Sequence, residues 1–181
     1  AVNAADWGIL PGDHEKTTEK FGELMKALEG QTGIVLRMEP GEYHFYPQLP
    51  LKKLHISNHD ACDGLAVGLS LKGIRDFTLD GGGSRWIFHT GMLPVHLESC
   101  NGLLLKNFSV DYHRPVYSQG EILEVSRQRM LVRIDGEKYP WYAERDRLIF
   151  QGEDCENAVH LCLEMDANTR GPAYGTEDLY F

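Results

Sequence analysis

Aspartates, histidines and one arginine carry the chemistry open to this sequence. Two carboxyl groups held about 6.5–9.5 Å apart can divide acid and base roles across a water molecule, so the spacing of the Asp pairs comes first. Asp76 and Asp80 lie four apart on one strand pattern, about 13 Å when extended, too far to share a water. Asp60 and Asp63 sit in a polar loop and could meet the distance, but nothing else gathers around them, so solvated turn residues are the better reading. Asp80 followed by Gly81-Gly82-Gly83 hints at a phosphate cradle, yet no helix pattern and no Lys-Ser/Thr follows; a tight corner between two strands fits better. Asn107-Phe108-Ser109 has the form of a glycosylation sequon but falls on a strand pattern, where Asn107 reads as an inward or ladder position.

The eight histidines show no H-E-x-x-H or other ligand spacing, so neither a metal nor a cofactor is expected. Cys62, Cys100, Cys155 and Cys162 contain no C-x-x-C pair and read as free, mainly structural thiols. Asp111, His113 and Arg114 differ from these, because they leave the last apolar strand pattern at the point where the chain changes character. Loops that leave a rigid scaffold often line a binding groove, which makes these three the substrate-binding candidates. A salt bridge at a domain junction is the competing role for Arg114.

Such residues need a scaffold, and the apolar pattern supplies one. Pairs two residues apart, Ile34/Leu36, Leu54/Ile56, Phe77/Leu79 and Leu103/Leu105, return every 20 to 26 residues. Each pair points to one face of a strand. A unit this short cannot bury its own apolar face, which predicts four stacked coils of a solenoid. Before them, Phe21, Leu24, Met25 and Leu28 form one helical stripe over about 17–29, with Thr17 or Thr18 as N-cap and Gly30 as the stop. That helix is suited to covering the first coil. Laying Phe77 on Leu103 places Asp80-Gly81 on Lys106-Asn107, so the turns of the third and fourth coils share a level. The last coil would leave Leu103, Leu105 and Phe108 open, predicting self-association through that end.

Beyond Arg114-Pro115 the pattern becomes short strands and turns: Glu121–Val125 and Met130–Ile134 as a hairpin, then Tyr139–Tyr142, Leu148–Phe150 and Val159–Met165, with no helix. A small β domain curled into a partial barrel is expected there.

Composition limits the partners. The 181 residues are 42% hydrophobic and carry a net charge of −9, with a pI near 5.3 and a mean hydropathy of −0.36. Nucleic acid and anionic membrane surfaces need clustered Lys and Arg and are excluded as partners; a neutral sugar fits better. No apolar run is long enough to span a membrane. Ala1 to Asp6 lack a signal-like basic and apolar segment, so either the chain is cytosolic or its leader has been removed, and a start at Ala rather than Met favours removal. Secreted or periplasmic location follows as an expectation.

Asp6-Trp7-Gly8-Ile9, the helix, Glu39-Pro40-Gly41-Glu42-Tyr43 and Leu79-Asp80-Gly81-Gly82-Gly83-Ser84 together resemble the start of a right-handed parallel β-helix of the pectate-lyase-like superfamily. Phe77 to Ser84, Leu105-Lys106-Asn107-Phe108-Ser109-Val110-Asp111-Tyr112, Arg114-Pro115, Gln119-Gly120-Glu121 and the stretch Leu163 to Tyr174 more closely resemble glycoside hydrolase family 110. The resemblance implies an exo-α-galactosidase that removes terminal α-1,3-linked galactose with inversion, and a galactose-containing glycan as partner. It implies an all-β fold: a right-handed parallel β-helix with its capping helix over 1–115, then an inserted β-barrel-like domain over 116–181. Members run to several hundred residues and draw their catalytic aspartates from later coils, so no catalytic residue is expected in this chain, and the chain alone should be inactive. In a binding role Arg114 would hold galactose hydroxyls or a partner carboxylate; the domain-junction salt bridge is the favoured reading of it. A stand-alone carbohydrate-binding or adhesion module is the alternative of a different class. A polysaccharide lyase on the same fold is a third, disfavoured by the acidic balance.

Overall fold

The computed structural model describes residues 1–49, 51, 54, 64–115, 117–176 and 179–180. The chain is all-β apart from one α-helix and one 3-10 turn among these residues, and it divides into two compact units, Ala1–Val116 and Tyr117–Phe181.

The first unit contains β1 (Val2–Asn3), a 3-10 turn (Ala4–Trp7), α1 (Thr17–Ala27), β2 (Thr32–Arg37), β3 (Glu42–Phe45), β4 (Val67–Lys72), β5 (Arg75–Phe88), β6 (Leu93–Glu98) and β7 (Asn101–Tyr112). The predicted stripe forms the buried face of α1: Phe21 and Leu24 are fully buried, with Met25 and Leu28 close to it. Neither threonine caps the helix. Thr17 opens it and its hydroxyl donates to the His14 carbonyl at 2.8 Å, while Gly30 takes the left-handed backbone just beyond the end, at φ 76°. The Phe21 ring then meets Phe45 at 5.5 Å and Trp86 at 5.8 Å, which docks the helix on the aromatic part of the sheet.

That sheet has five parallel strands, ordered β1-β2-β5-β3 with β7 also on β5. Its columns are apolar: Leu36 lies beside Val2 and Leu79, Leu79 beside Leu105, and Phe77 between Ile34 and Leu103. A continuous parallel column of this kind buries each side chain against its in-register neighbours. β5 is a single 14-residue strand that bends between Asp80 and Ser84, so its first limb pairs with β2 and its second with β3, while β7 follows both limbs. At the bend Asp80 accepts from Asn107 Nδ2 at 2.8 Å and from the Gly82 amide at 3.2 Å, with Lys106 Nζ at 3.4 Å. The corner reading of Asp80-Gly81-Gly82-Gly83 and the ladder reading of Asn107 are therefore both correct. A separate two-stranded parallel sheet, β4–β6, pairs Leu69 with Val95 and Leu71 with Leu97.

The second unit contains β8 (Gly120–Val125), β9 (Met130–Ile134), β10 (Trp141–Glu144), β11 (Arg147–Gln151), β12 (Glu156–Ala158), β13 (Leu161–Cys162) and β14 (Leu179–Tyr180). All its pairings are antiparallel, in the groups β8–β9, β10–β11–β12 and β13–β14.

Two parts of the expected architecture are overturned. The right-handed parallel β-helix is not what the described strands build: parallel pairing is present, but the strands sort into one five-stranded sheet and a separate pair, and no solenoid is formed among the described residues. No strand intervenes between β2 and β5, because Ile34 and Leu36 pair directly with Phe77 and Leu79. Leu54 lies outside any strand and Ile56 outside the described residues. An i, i+2 apolar pair marks any half-buried segment, so it cannot by itself count layers. Likewise, no closed barrel forms among the described residues of the second unit; its strands of two to six residues pair in three separate small sheets, each left with edges.

Candidate functional site

Among the described residues of the first unit, the polar face of β3, β5 and β7 gathers several titratable side chains. Alternation along β3 buries Tyr43 and Phe45 and turns Glu42 and His44 the other way, with Tyr46 following. Register then builds rows across the strands. Glu42 lies beside Arg85 and Arg85 beside Ser109; His44 lies beside Ile87 and Ile87 beside Asp111. One residue past the strand ends, the His89 amide donates to the Phe45 carbonyl and the His113 amide to the Phe88 carbonyl, both at 3.0 Å, so the rows continue to Tyr46, His89 and His113.

The rings of that last row stack. Tyr46 and His89 are 3.9 Å apart between centroids at 14°, and His89 and His113 are 4.7 Å apart at 24°. His44 Nδ1 faces His89 Nε2 across 2.9 Å, and His44 Nε2 lies 3.0 Å from Glu42 Oε1. Two imidazole nitrogens this close share one proton between them, with Glu42 accepting from the far side of His44. Asp13 joins from the lead-in to α1, held there by a parallel bridge between Gly12 and Tyr43 and by the Gly12 amide donating to the Glu42 carbonyl at 2.7 Å. Gly41 admits this approach, since a Cβ there would stand 2.5 Å from Pro11 Cβ.

Asp13 Oδ1 accepts from the Tyr46 hydroxyl at 2.6 Å and lies 3.9 Å from His44 Nδ1. The Tyr46 hydrogen bond, more than any other influence, holds the Asp13 carboxyl below the usual carboxylate range; slight desolvation opposes it, and His44, His89 and His113 add to it. The burial is graded. His89 is 5% exposed and the His44 side chain 14%, while the Asp13 side chain is 64% exposed and opens the cluster to solvent. Beside it, Arg85 bridges Glu42 Oε2 at 3.2 Å and Asp111 Oδ2 at 2.9 Å. Asp111 and then Glu42 raise the guanidinium pKa further. Chemically the face offers a carboxylate–imidazole–imidazole chain able to hold or pass a proton, a convergent Asp13, His44 and His89 set that could hold a cation, and a charged rim suited to hydroxyl groups.

Of the sequence candidates, Asp111 joins this face through Arg85, and His113 through its stack on His89. Arg114 Nη1 donates to the Pro115 carbonyl at 2.6 Å, a local contact that holds the chain where it leaves β7. Asp60 and Asp63 lie outside the described residues, and Asp80 belongs to the β5 bend. Asp13, Glu42, His44, Tyr46, Arg85 and His89 belong to no catalytic or ligand motif of the sequence. A signal for Tyr46 and His89 alone exists in the aromatic–polar-ring steps Phe45-Tyr46, Phe88-His89 and Tyr112-His113, which recur at equivalent positions of three neighbouring strands. Among the described residues, no helix is long and apolar enough to cross a membrane.

The chain is similar to known proteins along most of its length. A family model described as GLAA-B beta-barrel domain I matches residues 118–181. Alpha-1,3-galactosidase B of Akkermansia muciniphila is 30% identical over 179 residues, which is 98% of this chain and 22% of that protein. Alpha-1,3-galactosidase B of Parabacteroides distasonis is 36% identical over 158 residues, 85% of this chain and 25% of that protein. Alpha-1,3-galactosidase A of Shewanella woodyi is 32% identical over 183 residues, 98% of this chain and 29% of that protein. The chain thus spans less than a third of the length of the relatives it matches.

Proposed function

We propose that the chain is the N-terminal portion of an alpha-1,3-galactosidase of glycoside hydrolase family 110, an exo-α-galactosidase that removes terminal α-1,3-linked galactose with inversion. The observation that carries this reading is the similarity to proteins of that name over 85–98% of the chain. The match of residues 118–181 to the model described as GLAA-B beta-barrel domain I is taken in the same sense. In this reading the catalytic carboxylates lie on the remaining length of the enzyme, and this portion contributes glycan contacts.

Asp111, His113 and Arg114 are the contacts proposed. Asp111 and His113 share the polar face of β7, and charged or imidazole groups that hydrogen-bond sugar hydroxyls discriminate a glycan far better than apolar packing does. The enzyme acts in the secreted or periplasmic space, where such glycans are met.

A chromogenic α-galactoside tests the proposal. The 181-residue chain should give no turnover, and a protein extended C-terminally to the length of its relatives should hydrolyse it. Proton NMR of the first product from an α-1,3-linked digalactoside should show β-galactose. An extended protein that folds but leaves both substrates intact sinks the assignment, and α-galactose as first product sinks inversion.

A further inference from the structure

We propose that Asp13, His44 and His89 form a binding site for one divalent transition-metal ion of the zinc type. Their ligating atoms all lie within 4.8 Å of one another. His44 Nδ1 and His89 Nε2 are 2.9 Å apart, and Asp13 Oδ1 is 3.9 Å from His44 Nδ1. Ligands about 2.0–2.2 Å from a tetrahedral zinc ion stand about 3.3 Å from each other, a value that the two observed separations bracket. Small side-chain rotations, opening one gap and closing the other, would seat the ion.

The donor set selects the class of ion. Two imidazoles and one carboxylate suit zinc and its neighbours, whereas calcium and magnesium require shells of oxygen. Three protein ligands leave a fourth position, and the exposed Asp13 side places that position toward solvent. Each ligand also has the outer support that metal sites use. Glu42 Oε1 lies 3.0 Å from His44 Nε2, which fixes the tautomer that leaves Nδ1 free to ligate. Tyr46 donates to Asp13 at 2.6 Å, and its ring stacks on His89 at 3.9 Å, so one residue orients two ligands. Backbone pairing fixes the rest: the Gly12 bridge to Tyr43 places Asp13, and the β3–β5 register places His44 against His89. This convergence was invisible as a spacing motif, because the ligands come from a loop and two strands that only the fold brings together.

Calorimetric titration of zinc chloride into the 181-residue chain tests the proposal without any sugar present, so its outcome is independent of the galactosidase reading. Binding of one equivalent is expected, with a zinc-dependent rise in the thermal midpoint. Cobalt(II) in place of zinc should give the intense visible absorption of a tetrahedral site. Asp13→Asn, at the exposed ligand, should keep the circular dichroism of the parent and lose zinc affinity by at least about tenfold; His44→Gln should do the same. Glu42→Gln, which only supports His44, should weaken binding by about 10–100-fold. Absence of binding by the parent overturns the proposal. So does binding that Asp13→Asn and His44→Gln both leave unchanged, since the ion would then be held elsewhere.

Discussion

The two units of this chain are stabilised in different ways. In the first, Trp86, Tyr43, Phe21, Phe45, Phe77 and Phe88 are all within 1% of complete burial, and the strands that bury them are distant in sequence. In the second, Tyr139 and Ile149 are the buried hydrophobics among the described residues, and Trp141, Leu131, Leu163 and Met165 are exposed. Local turn chemistry does there what burial does in the first unit. Asp135 accepts from the amides of Glu137 and Lys138, Asp166 from those of Asn168 and Thr169, and Ser126 closes the β8–β9 turn. Glu124–Arg129 and Glu121–Arg133 pair on the surface of the same hairpin, where ion pairs add little. Long-range burial makes a unit cooperative and sensitive to a single cavity; local turns make one tolerant of it.

The largest test of that contrast is a pair of truncations. Trp86→Ala removes a ring stacked on Phe108 at 4.3 Å and hydrogen-bonded to Ser84 at 3.0 Å, and should cost about 3–5 kcal/mol. Ile149→Ala should fall near the lower end for such truncations, about 2 kcal/mol. Urea unfolding measures both, and an Ile149→Ala cost equal to that of Trp86→Ala breaks the comparison.

A smaller effect separates two glycines. Gly82 has φ 61° and a Cβ there would stand 2.4 Å from the Met38 carbonyl oxygen, whereas Gly175 has φ 76° with nothing within 4 Å. Gly175→Ala should cost the left-handed penalty of about 1–2 kcal/mol alone. Gly82→Ala should cost clearly more, because the β5 bend must shift away from β2. Equal changes in unfolding midpoint would show that the bend yields freely.

The smallest effect is in acid. Asn107, then the Gly82 amide and Lys106, hold the Asp80 carboxyl below its ordinary value of 3.8. The amides of Thr169 and Asn168 do the same for Asp166 within a single turn. A carboxyl depressed by folding contributes stability that is complete above its unfolded pKa and is lost as pH falls through the folded value. Asp80→Asn should therefore lower the unfolding midpoint at neutral pH and flatten its fall below about pH 4, in a profile of midpoint against pH. Asp166→Asn should leave the unfolding of the first unit unchanged. An unaltered acid limb in Asp80→Asn would mean that the bend is held by burial alone.

Much of the first unit is legible in the chain. The α1 stripe, the Phe77/Leu79 and Leu103/Leu105 columns and the alignment of Asp80 with Lys106 follow from periodicity, and the structure pairs them so. The Leu54/Ile56 pair does not enter between β2 and β5, because an apolar pair carries no information about its partner. β4 and β6 escape because Gly68 and Pro94 interrupt strands that otherwise alternate. The candidate site is hidden for a different reason. Asp111 and His113 are legible from the end of β7, but Asp13, His44 and His89 become neighbours only through parallel register, which no short spacing encodes.

The placement of the tryptophans has an optical consequence. Trp86 is sealed against Phe108 in the first unit, while Trp141 stands 44% exposed in the second. Indole emission shifts to longer wavelength in water and becomes open to collisional quenchers, so of the three indoles of this chain Trp86 is a shielded emitter and Trp141 an accessible one. Trp7, half-buried against the first core, reports from the sheet edge beside β1. Replacing Trp141 by Phe would leave a spectrum that belongs to the first unit alone, a label-free means of following each half separately.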